Sequence, residues 1–273
     1  MRVPARGRRF AVTAVVLLLA AALAGCSQGA RNKVSNITTG SLGTGASQNV
    51  AAMSTAELQA TSQSLGKVYA GDPKDKGVAL RYANVLQMSG RADQALAVMR
   101  KLAIDHPKDR DVLAAYGKSL AAAGELELAL DAIRRAQTPE YPDWRLLSAE
   151  GAVLDQMGQP DAARALYRRA LDLQPDEPSV LSNLGMSHLL QGDLKAAESF
   201  LAKAVAAPGA DSRVRQNLAL VVGLQGRFKE AESIARQELS PEQAQADMAY
   251  LRTMLAQSDS WSEIASEDAA RRN

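Results

Sequence analysis

The chain has 273 residues, of which 47% are hydrophobic, 23% are charged and only 4% are aromatic. With so few aromatic side chains the core has to be built from Ala, Leu and Val, which suits close-packed helices and argues against an all-β fold. The formal charge of +2 includes four arginines within positions 1–25, so the rest of the chain is acidic, at −2, and has no electrostatic basis for binding nucleic acid.

Residues capable of metal or catalytic chemistry are scarce. The chain has one cysteine, Cys26, and two histidines, His106 and His188. A single cysteine cannot form an internal disulfide, and two histidines far apart in the chain leave little for metal binding or acid–base catalysis. We therefore expect no metal, no cofactor and no catalytic residue, and we interpret both histidines as structural or solvated.

The N-terminus has the pattern of a bacterial signal peptide. Four arginines precede residues 10–24, an uncharged run that is shorter than the ~20 residues of a spanning helix. The tetrad Leu23, Ala24, Gly25, Cys26 then resembles a lipobox. This resemblance implies that residues 1–25 are removed and that the Cys26 thiol is lipidated. Alternatively, Cys26 is an ordinary residue near a cleavage site, or belongs to an uncleaved anchor.

The residue after the cysteine, Ser27, bears on the destination of a lipoprotein. An aspartate at that position is the usual signal for retention in the inner membrane, so the lipobox resemblance implies sorting to the outer membrane, on its periplasmic face. Residues 26–53 are rich in Ser, Gly, Asn, Thr and Gln, which predicts a flexible tether. Its root-mean-square reach would be roughly 25–30 Å.

From Lys76 onward the sequence repeats with a 34-residue period. A glycine recurs at this period. An alanine lies five residues after each glycine, and a small residue lies seven residues before it. The glycines are Gly90, Gly124, Gly158, Gly192 and Gly226; the alanines are Ala95, Ala129, Ala163, Ala197 and Ala231; and the small residues are Ala83, Gly117, Gly151, Gly185 and Ala219. Small residues at these spacings allow two helices to cross closely, and the glycine supplies the turn between them.

This pattern resembles the tetratricopeptide repeat (TPR), and the resemblance implies an all-α solenoid, a right-handed superhelix of antiparallel helix pairs. The units are residues 76–109, 110–143, 144–177, 178–211 and 212–239. Large apolar residues recur as the predicted core: Leu86, Leu120, Leu154 and Val222 in the first helices, and Met99, Ile133, Tyr167 and Leu201 in the second helices.

Each end of the array has a predicted capping helix, as repeat arrays require. Residues 54–75 are predicted to form half a repeat, because Ser54 and Glu57 have the spacing of a capping box. Residues 240–257 are predicted to form a C-terminal capping helix, with Ser240 as N-cap, Pro241 at the first helical position and Gln243 at the box position. Residues 258–273 are interpreted as a polar tail.

The first helices of such an array line a groove, and the register identifies its residues. At the sixth position of the units lie Arg81, Ala115, Ala149, Asn183 and Asn217. In this fold an asparagine at that position can hydrogen-bond a bound peptide. The candidate groove consists of Asn183, Asn217, Met186, Leu189, Leu190, Arg213, Gln216, Leu220 and Leu224. The alternative interpretation is that the asparagines are solvated and the leucines belong to packing between repeats.

Residues 215–228 and 249–255 resemble the last repeat and terminal helix of the TadD family, lipoproteins of the tight-adherence (Tad/Flp) pilus assembly system. The order of lipobox, tether, five repeats and polar tail is also similar. This resemblance implies a protein-binding role in pilus assembly or secretion, in which a pilus secretin or other Tad component is the partner. The alternative is a general periplasmic scaffold or chaperone of the envelope. An enzyme would need a pocket that the repeat register does not provide.

Overall fold

The computed structural model describes residues 53–138, 140 and 142–271, with side chains to residue 257. Cys26, the predicted signal peptide and residues 26–52 of the predicted tether lie outside the described residues. Within these ranges the chain forms twelve helices and no strand, which confirms the all-α prediction. None of these helices combines the length and the apolar character that crossing a membrane requires.

The helices follow one another with short connections. They are α1 (Thr55–Gly71), α2 (Lys76–Met88), α3 (Ala92–Asp105), α4 (Arg110–Ala122), α5 (Leu126–Ala136), α6 (Trp144–Gln156), α7 (Pro160–Leu173), α8 (Pro178–Leu190), α9 (Leu194–Ala206), α10 (Ser212–Leu224), α11 (Phe228–Ala235) and α12 (Pro241–Arg271). By their contacts these helices fall into two units, α1–α7 and α8–α12.

Each first helix of a repeat begins at the residue where the predicted unit begins, and an acidic side chain caps each of these starts. The caps are Asp75, Asp109, Asp143, Glu177 and Asp211, and each accepts a hydrogen bond from a backbone N–H in the first turn. A carboxylate at this place satisfies an orphan N–H and complements the helix dipole. The acidic caps therefore recur with the same period as the turn glycines.

The turn between the two helices of each repeat depends on its glycine. Gly90, Gly124, Gly158, Gly192 and Gly226 have φ angles between 73° and 83°, in the left-handed region. A side chain would be strained in that conformation, so glycine ends the first helix and lets the chain reverse.

The helices of a repeat cross most closely at the small residues. A Cβ on Gly117 would lie 2.6 Å from Ile133 Cγ1, and one on Gly185 would lie 2.8 Å from Leu201 Cγ. Both glycines also face a backbone carbonyl of the second helix, Ala129 O and Ala197 O, at 3.1 Å. The predicted core residues of both helix sets are buried, each no more than 4% exposed.

Helix α1 packs on α2 through a small apolar cluster. Leu58 contacts Val85, and Met53 and Leu65 pack against them. Ser54 and Glu57 make the reciprocal capping box at the start of α1. The guanidinium of Arg91 also donates to the buried Ser62 hydroxyl at 3.0 Å.

Helix α12 packs on α10 and α11. Met248 and Leu251 join Val222 in one buried cluster. Ser240 and Gln243 exchange hydrogen bonds at the helix start, at 3.2 and 3.3 Å. The sequence placed the end of this helix at residue 257, whereas the helix continues to Arg271, through most of the predicted polar tail.

Candidate functional site

The candidate groove residues lie on α8 and α10, the first helices of the fourth and fifth repeats. Asn183 and Asn217 occupy equivalent places one repeat apart, and both are half-buried. Asn217 Nδ2 donates to the hydroxyl of Ser182, which is 5% exposed, at 3.1 Å. This bond joins α10 to α8, so one amide hydrogen of Asn217 serves the packing of the two helices.

The apolar candidates flank a buried core cluster made by Leu189, Ala197, Leu201 and Val221. Met186, Leu190, Leu220 and Leu224 pack against this cluster and are partly exposed. Leu189 itself is fully buried, which corrects its assignment to the groove surface. Leu189, at the twelfth position of the fourth repeat, has its side chain packed between helices, where a ligand cannot reach it.

The polar candidates on α10 have partners within the protein. Arg213 donates through Nε and a terminal nitrogen to Asp211 Oδ2, at 3.0 and 2.8 Å. Gln216 Nε2 donates to Ser212 Oγ at 3.2 Å. The positive charge of Arg213 is therefore compensated at the start of α10.

A second ion pair lies near the C-terminal end of α10. Arg227 donates to both carboxylate oxygens of Glu198, at 2.6 and 3.1 Å, and Gln225 Nε2 donates to the same carboxylate at 2.7 Å. Hydrogen bonding from Arg227, followed by that from Gln225, lowers the pKa of Glu198. The carboxylate is therefore charged at neutral pH.

The corresponding positions in residues 53–175 are less apolar. At the ninth position of the first three repeats stand Asn84, Lys118 and Ala152, and at the thirteenth stand Met88, Ala122 and Gln156. In the fourth and fifth repeats the same positions hold Met186 and Leu220, then Leu190 and Leu224. Among the five repeats, only these two have a large apolar residue at both positions.

The two histidines make local contacts. The ring of His188 stacks on Phe200 with centroids 5.3 Å apart, and its Nδ1 lies 3.6 Å from Asp193 Oδ2. His106 Nε2 lies 3.4 Å from the carbonyl oxygen of Lys74. The described part of the chain contains no group of three His, Cys, Asp or Glu residues arranged to hold a metal ion.

Two cavities of about 400 and 440 Å³ lie in residues 53–175. Asp109, Arg110, Asp111, Ala114, Asp143 and Leu146 line the first, and Arg134, Gln137, Thr138, Pro142, Glu150 and Arg169 line the second. Asp109 and Asp143 act as helix caps, and Arg134 is paired with Glu150 at 2.8 Å. These four polar groups around the cavities thus serve the fold.

Comparison with known proteins agrees with the repeat architecture. Two family profiles described as tetratricopeptide repeat match residues 53–119 and 149–212. The solved structure of TTC0263, a thermophilic TPR protein in Thermus thermophilus, is 21% identical with a TM-score of 0.56, over 64% of this chain and 97% of that one. No curated protein sequence matches the chain.

Two further structures share the fold. PilW, described as a widely conserved type IV pilus biogenesis factor, is 21% identical with a TM-score of 0.56, over 73% of this chain and 91% of PilW. The APC/C Cut9–Hcn1 hetero-tetramer contains a chain that is 16% identical with a TM-score of 0.57, over 77% of this chain and 40% of that one. This protein therefore carries tetratricopeptide repeats over both matched segments and has the fold of the TPR solenoid. TPR proteins are generally non-catalytic scaffolds for protein–protein interaction.

Proposed function

We propose that this scaffold is an outer-membrane lipoprotein that supports assembly of a Tad/Flp pilus by helping the outer-membrane secretin to localise or oligomerise. The observation that carries the proposal is the resemblance of residues 215–228 and 249–255 to the TadD family. These residues form most of α10, the start of α11 and part of α12. They pack on one another: a Cβ on Gly223 would lie 2.5 Å from Leu251 Cδ2.

Other features support the proposal more generally. The resemblance of residues 23–26 to a lipobox suits a protein that is held at a membrane by acyl chains on Cys26. Stable anchoring of this kind takes more than one acyl chain. PilW, whose description names a role in type IV pilus biogenesis, has the same fold. That likeness is one of architecture, and TPR scaffolds act in many processes.

The lipid anchor is tested by metabolic labelling. We expect radiolabelled palmitate to enter the wild-type protein and not Cys26→Ala, because Cys26 supplies the only thiol in the chain. The wild type should fractionate with outer membranes. A wild-type protein that stays unlabelled and soluble in the periplasm would overturn the lipoprotein assignment.

The pilus role is tested by deletion. A strain without the protein should lose surface pili and surface adherence, whereas its growth, cell shape and detergent resistance should stay at wild-type levels, because the proposed partner serves one machine. A deletion strain that keeps its pili would contradict the proposal. Broad envelope leakage in that strain would instead favour the general envelope scaffold.

The groove is tested by removing the two amides together. Asn183→Ala with Asn217→Ala should reduce piliation at an unchanged protein level. Two lost hydrogen bonds, each contributing about 0.5–1.5 kcal/mol, should weaken partner binding roughly ten- to a hundredfold. Ser182→Ala is the matched control, because it removes the bond between Ser182 and Asn217 and keeps both amides. If Ser182→Ala lowers piliation as much as the double asparagine change, the loss of piliation comes from disturbed helix packing and not from lost contacts to the partner.

A further inference from the structure

The cavity of about 440 Å³ lies among helices of the second and third repeats. Its lining comes from α5, α6, α7 and the connection between α5 and α6, and consists of Arg134, Gln137, Thr138, Pro142, Glu150 and Arg169. None of these residues stands at the sixth, ninth or thirteenth position of its unit, where the register places the candidate groove. The cavity therefore uses a different part of the repeat, on the side of the second helices.

Two guanidinium groups line this cavity with hydrogen-bond donors left over. Arg134 donates from Nε to Glu150 Oε1 at 2.8 Å, and its terminal nitrogens have no partner among residues 53–138, 140 and 142–257. Arg169 is exposed and makes no hydrogen bond or ion pair within the described part of the chain. A guanidinium carries five N–H donors in a planar fork, so most of the donors on these two side chains are free to bind an acceptor.

The connection between α5 and α6 adds another donor. Thr138 lines the cavity, and its buried Oγ1 has no hydrogen-bond partner among the described residues. Most buried hydroxyls are paired, because an unpaired one costs free energy. Gln137, by contrast, exchanges hydrogen bonds with the backbone of Asp143 at 3.3 and 3.4 Å. The unsatisfied groups of the lining are thus donors, which indicates a ligand that supplies acceptors.

The charges of the lining favour an anion of low charge. Arg134 and Arg169 are positive and Glu150 is negative, so the net charge of the lining is +1. A carboxylate carries one negative charge, and its two oxygens match the paired N–H groups of a guanidinium. A phosphate group carries up to two charges, and the carboxylate of Glu150 would repel it more strongly. The lining therefore fits a carboxylate best.

The surrounding surface favours a protein over a membrane as the source of this carboxylate. Arg100, Lys101 and Arg135 also lie on second helices, but each is paired with an acidic side chain, at 3.1, 3.1 and 3.3 Å. An anionic bilayer is attracted by several cations whose charge is not compensated, and this surface does not offer them. A cavity lined by two arginines accepts a single side chain instead.

We propose that this cavity binds a glutamate or aspartate side chain of a partner protein, held by the guanidinium groups of Arg134 and Arg169. The cavity is then a second contact site for protein–protein interaction, separate from the candidate groove. The proposal does not depend on the pilus assignment, because every residue of the cavity lies outside residues 215–228 and 249–255, which carry the resemblance to the TadD family.

The test uses the purified full-length protein in a non-ionic detergent and a short fluorescent peptide, blocked at both termini, in which glutamates alternate with glycines. The comparison peptide has glutamine in place of each glutamate. In fluorescence anisotropy at low ionic strength, we expect the glutamate peptide to bind at least about tenfold more tightly. Equal binding of the two peptides would overturn the proposal.

Two neighbouring arginines on α7 assign the binding to the cavity. Arg169→Gln should weaken binding of the glutamate peptide by about fivefold or more. Arg168→Gln is the matched control, because Arg168 is also exposed and unpaired among the described residues, but does not line the cavity. It removes the same charge and should leave binding within about twofold. Equal losses in the two variants would mean general electrostatic attraction and would contradict the cavity site.

Glu150→Gln should have the opposite effect. Glutamine keeps the size of the side chain and an oxygen that can accept from Arg134 Nε, but it removes the negative charge beside the proposed ligand. Binding of the glutamate peptide should therefore become about threefold tighter, which a change that only disturbs the fold does not produce. Weaker binding in Glu150→Gln, with an unchanged circular dichroism spectrum, would contradict the proposal.

Two further probes identify the source of the carboxylate. Free glutarate should displace the labelled peptide only at concentrations well above those of the unlabelled peptide. Displacement by glutarate at equal concentrations would overturn the assignment to a partner protein and favour a small carboxylic acid. The Cys26→Ala variant, which lacks the proposed anchor, should bind phosphatidylglycerol vesicles no better than phosphatidylcholine vesicles. A preference for the anionic vesicles that Arg169→Gln abolishes would overturn the proposal and favour a membrane contact.

Discussion

Gly151 provides a sharp test of how the helices of a repeat cross. It lies on α6, and a Cβ at this position would be 2.7 Å from Tyr167 Cε1, 3.0 Å from Tyr167 Cζ and 3.1 Å from the carbonyl oxygen of Ala163. Tyr167 is 1% exposed, and its hydroxyl donates to Asp155 Oδ2 at 2.9 Å. The ring is therefore held at both ends and cannot move aside without stretching this bond.

The change Gly151→Ala should destabilise the protein even though alanine favours helix. Overpacking a well-filled core costs about 1–3 kcal/mol, and the stiff ring and the backbone carbonyl place this site in the upper half of that range. Alanine gains about 1 kcal/mol over glycine inside a helix. The free energy of unfolding should therefore fall by about 1–2 kcal/mol, measured by urea denaturation followed by far-UV circular dichroism.

Two further variants separate steric crowding from helix propensity. Gly77→Ala is the matched control, because Gly77 also lies in a first helix and its Cβ would meet only Asp75 Oδ1, at 3.4 Å. It should be neutral or stabilising by up to about 1 kcal/mol. Adding Tyr167→Met to Gly151→Ala should restore much of the loss, because the first repeat has an alanine and a methionine at these two positions, in one core cluster. If Gly151→Ala is as stable as Gly77→Ala, the close crossing is refuted.

Three more predictions concern local interactions. Ala197→Leu should lower the free energy of unfolding by about 1–3 kcal/mol, because Ala197 is fully buried. Ser199→Leu, on the exposed side of α9, should lower it little. Equal urea midpoints for the two variants would contradict the register. Arg227 lowers the pKa of Glu198 below its usual value near 4.5, so this pair stabilises the fold above pH 4.5 and loses its effect as the pH falls through the lowered pKa. Acidification should therefore reduce the difference in the free energy of unfolding between the wild type and Glu198→Gln. A constant difference across that pH range would argue against a stabilising ion pair. Ser54→Ala should destabilise α1 by about 1 kcal/mol, detectable as faster amide hydrogen exchange in that helix and not in α9.

The repeat fold could be predicted because its signals are local and recur. A left-handed glycine, a small crossing residue and a buried apolar residue each appear once per repeat, so agreement among repeats outweighs the ambiguity of any single helix. The helix starts at Lys76 and Arg110, for example, follow from the same pattern, and the structure adds an acidic cap before each of them.

The burial of the candidate groove residues could be predicted only in part. The register places Met186, Leu190, Leu220 and Leu224 at equivalent positions of two repeats, and in the structure they pack around one core cluster. It does not distinguish the partly exposed Leu190 from its neighbour Leu189, which is fully buried. Two adjacent leucines differ in orientation by about 100° around the helix, and the position of the neighbouring helix decides which of them is covered.

The sequence by itself determined the helical class, the repeat length, the turn glycines and the two capping boxes, since each depends on residues a few positions apart or on a pattern that recurs. Only the tertiary structure decided that Asn217 bonds Ser182, that Met254 packs against the same buried cluster as Leu220, and that the last helix runs to Arg271. The first two features depend on side chains from different helices meeting in space. The third arises in a segment without a glycine or proline to end the helix, so its polar composition alone did not reveal where the helix stops.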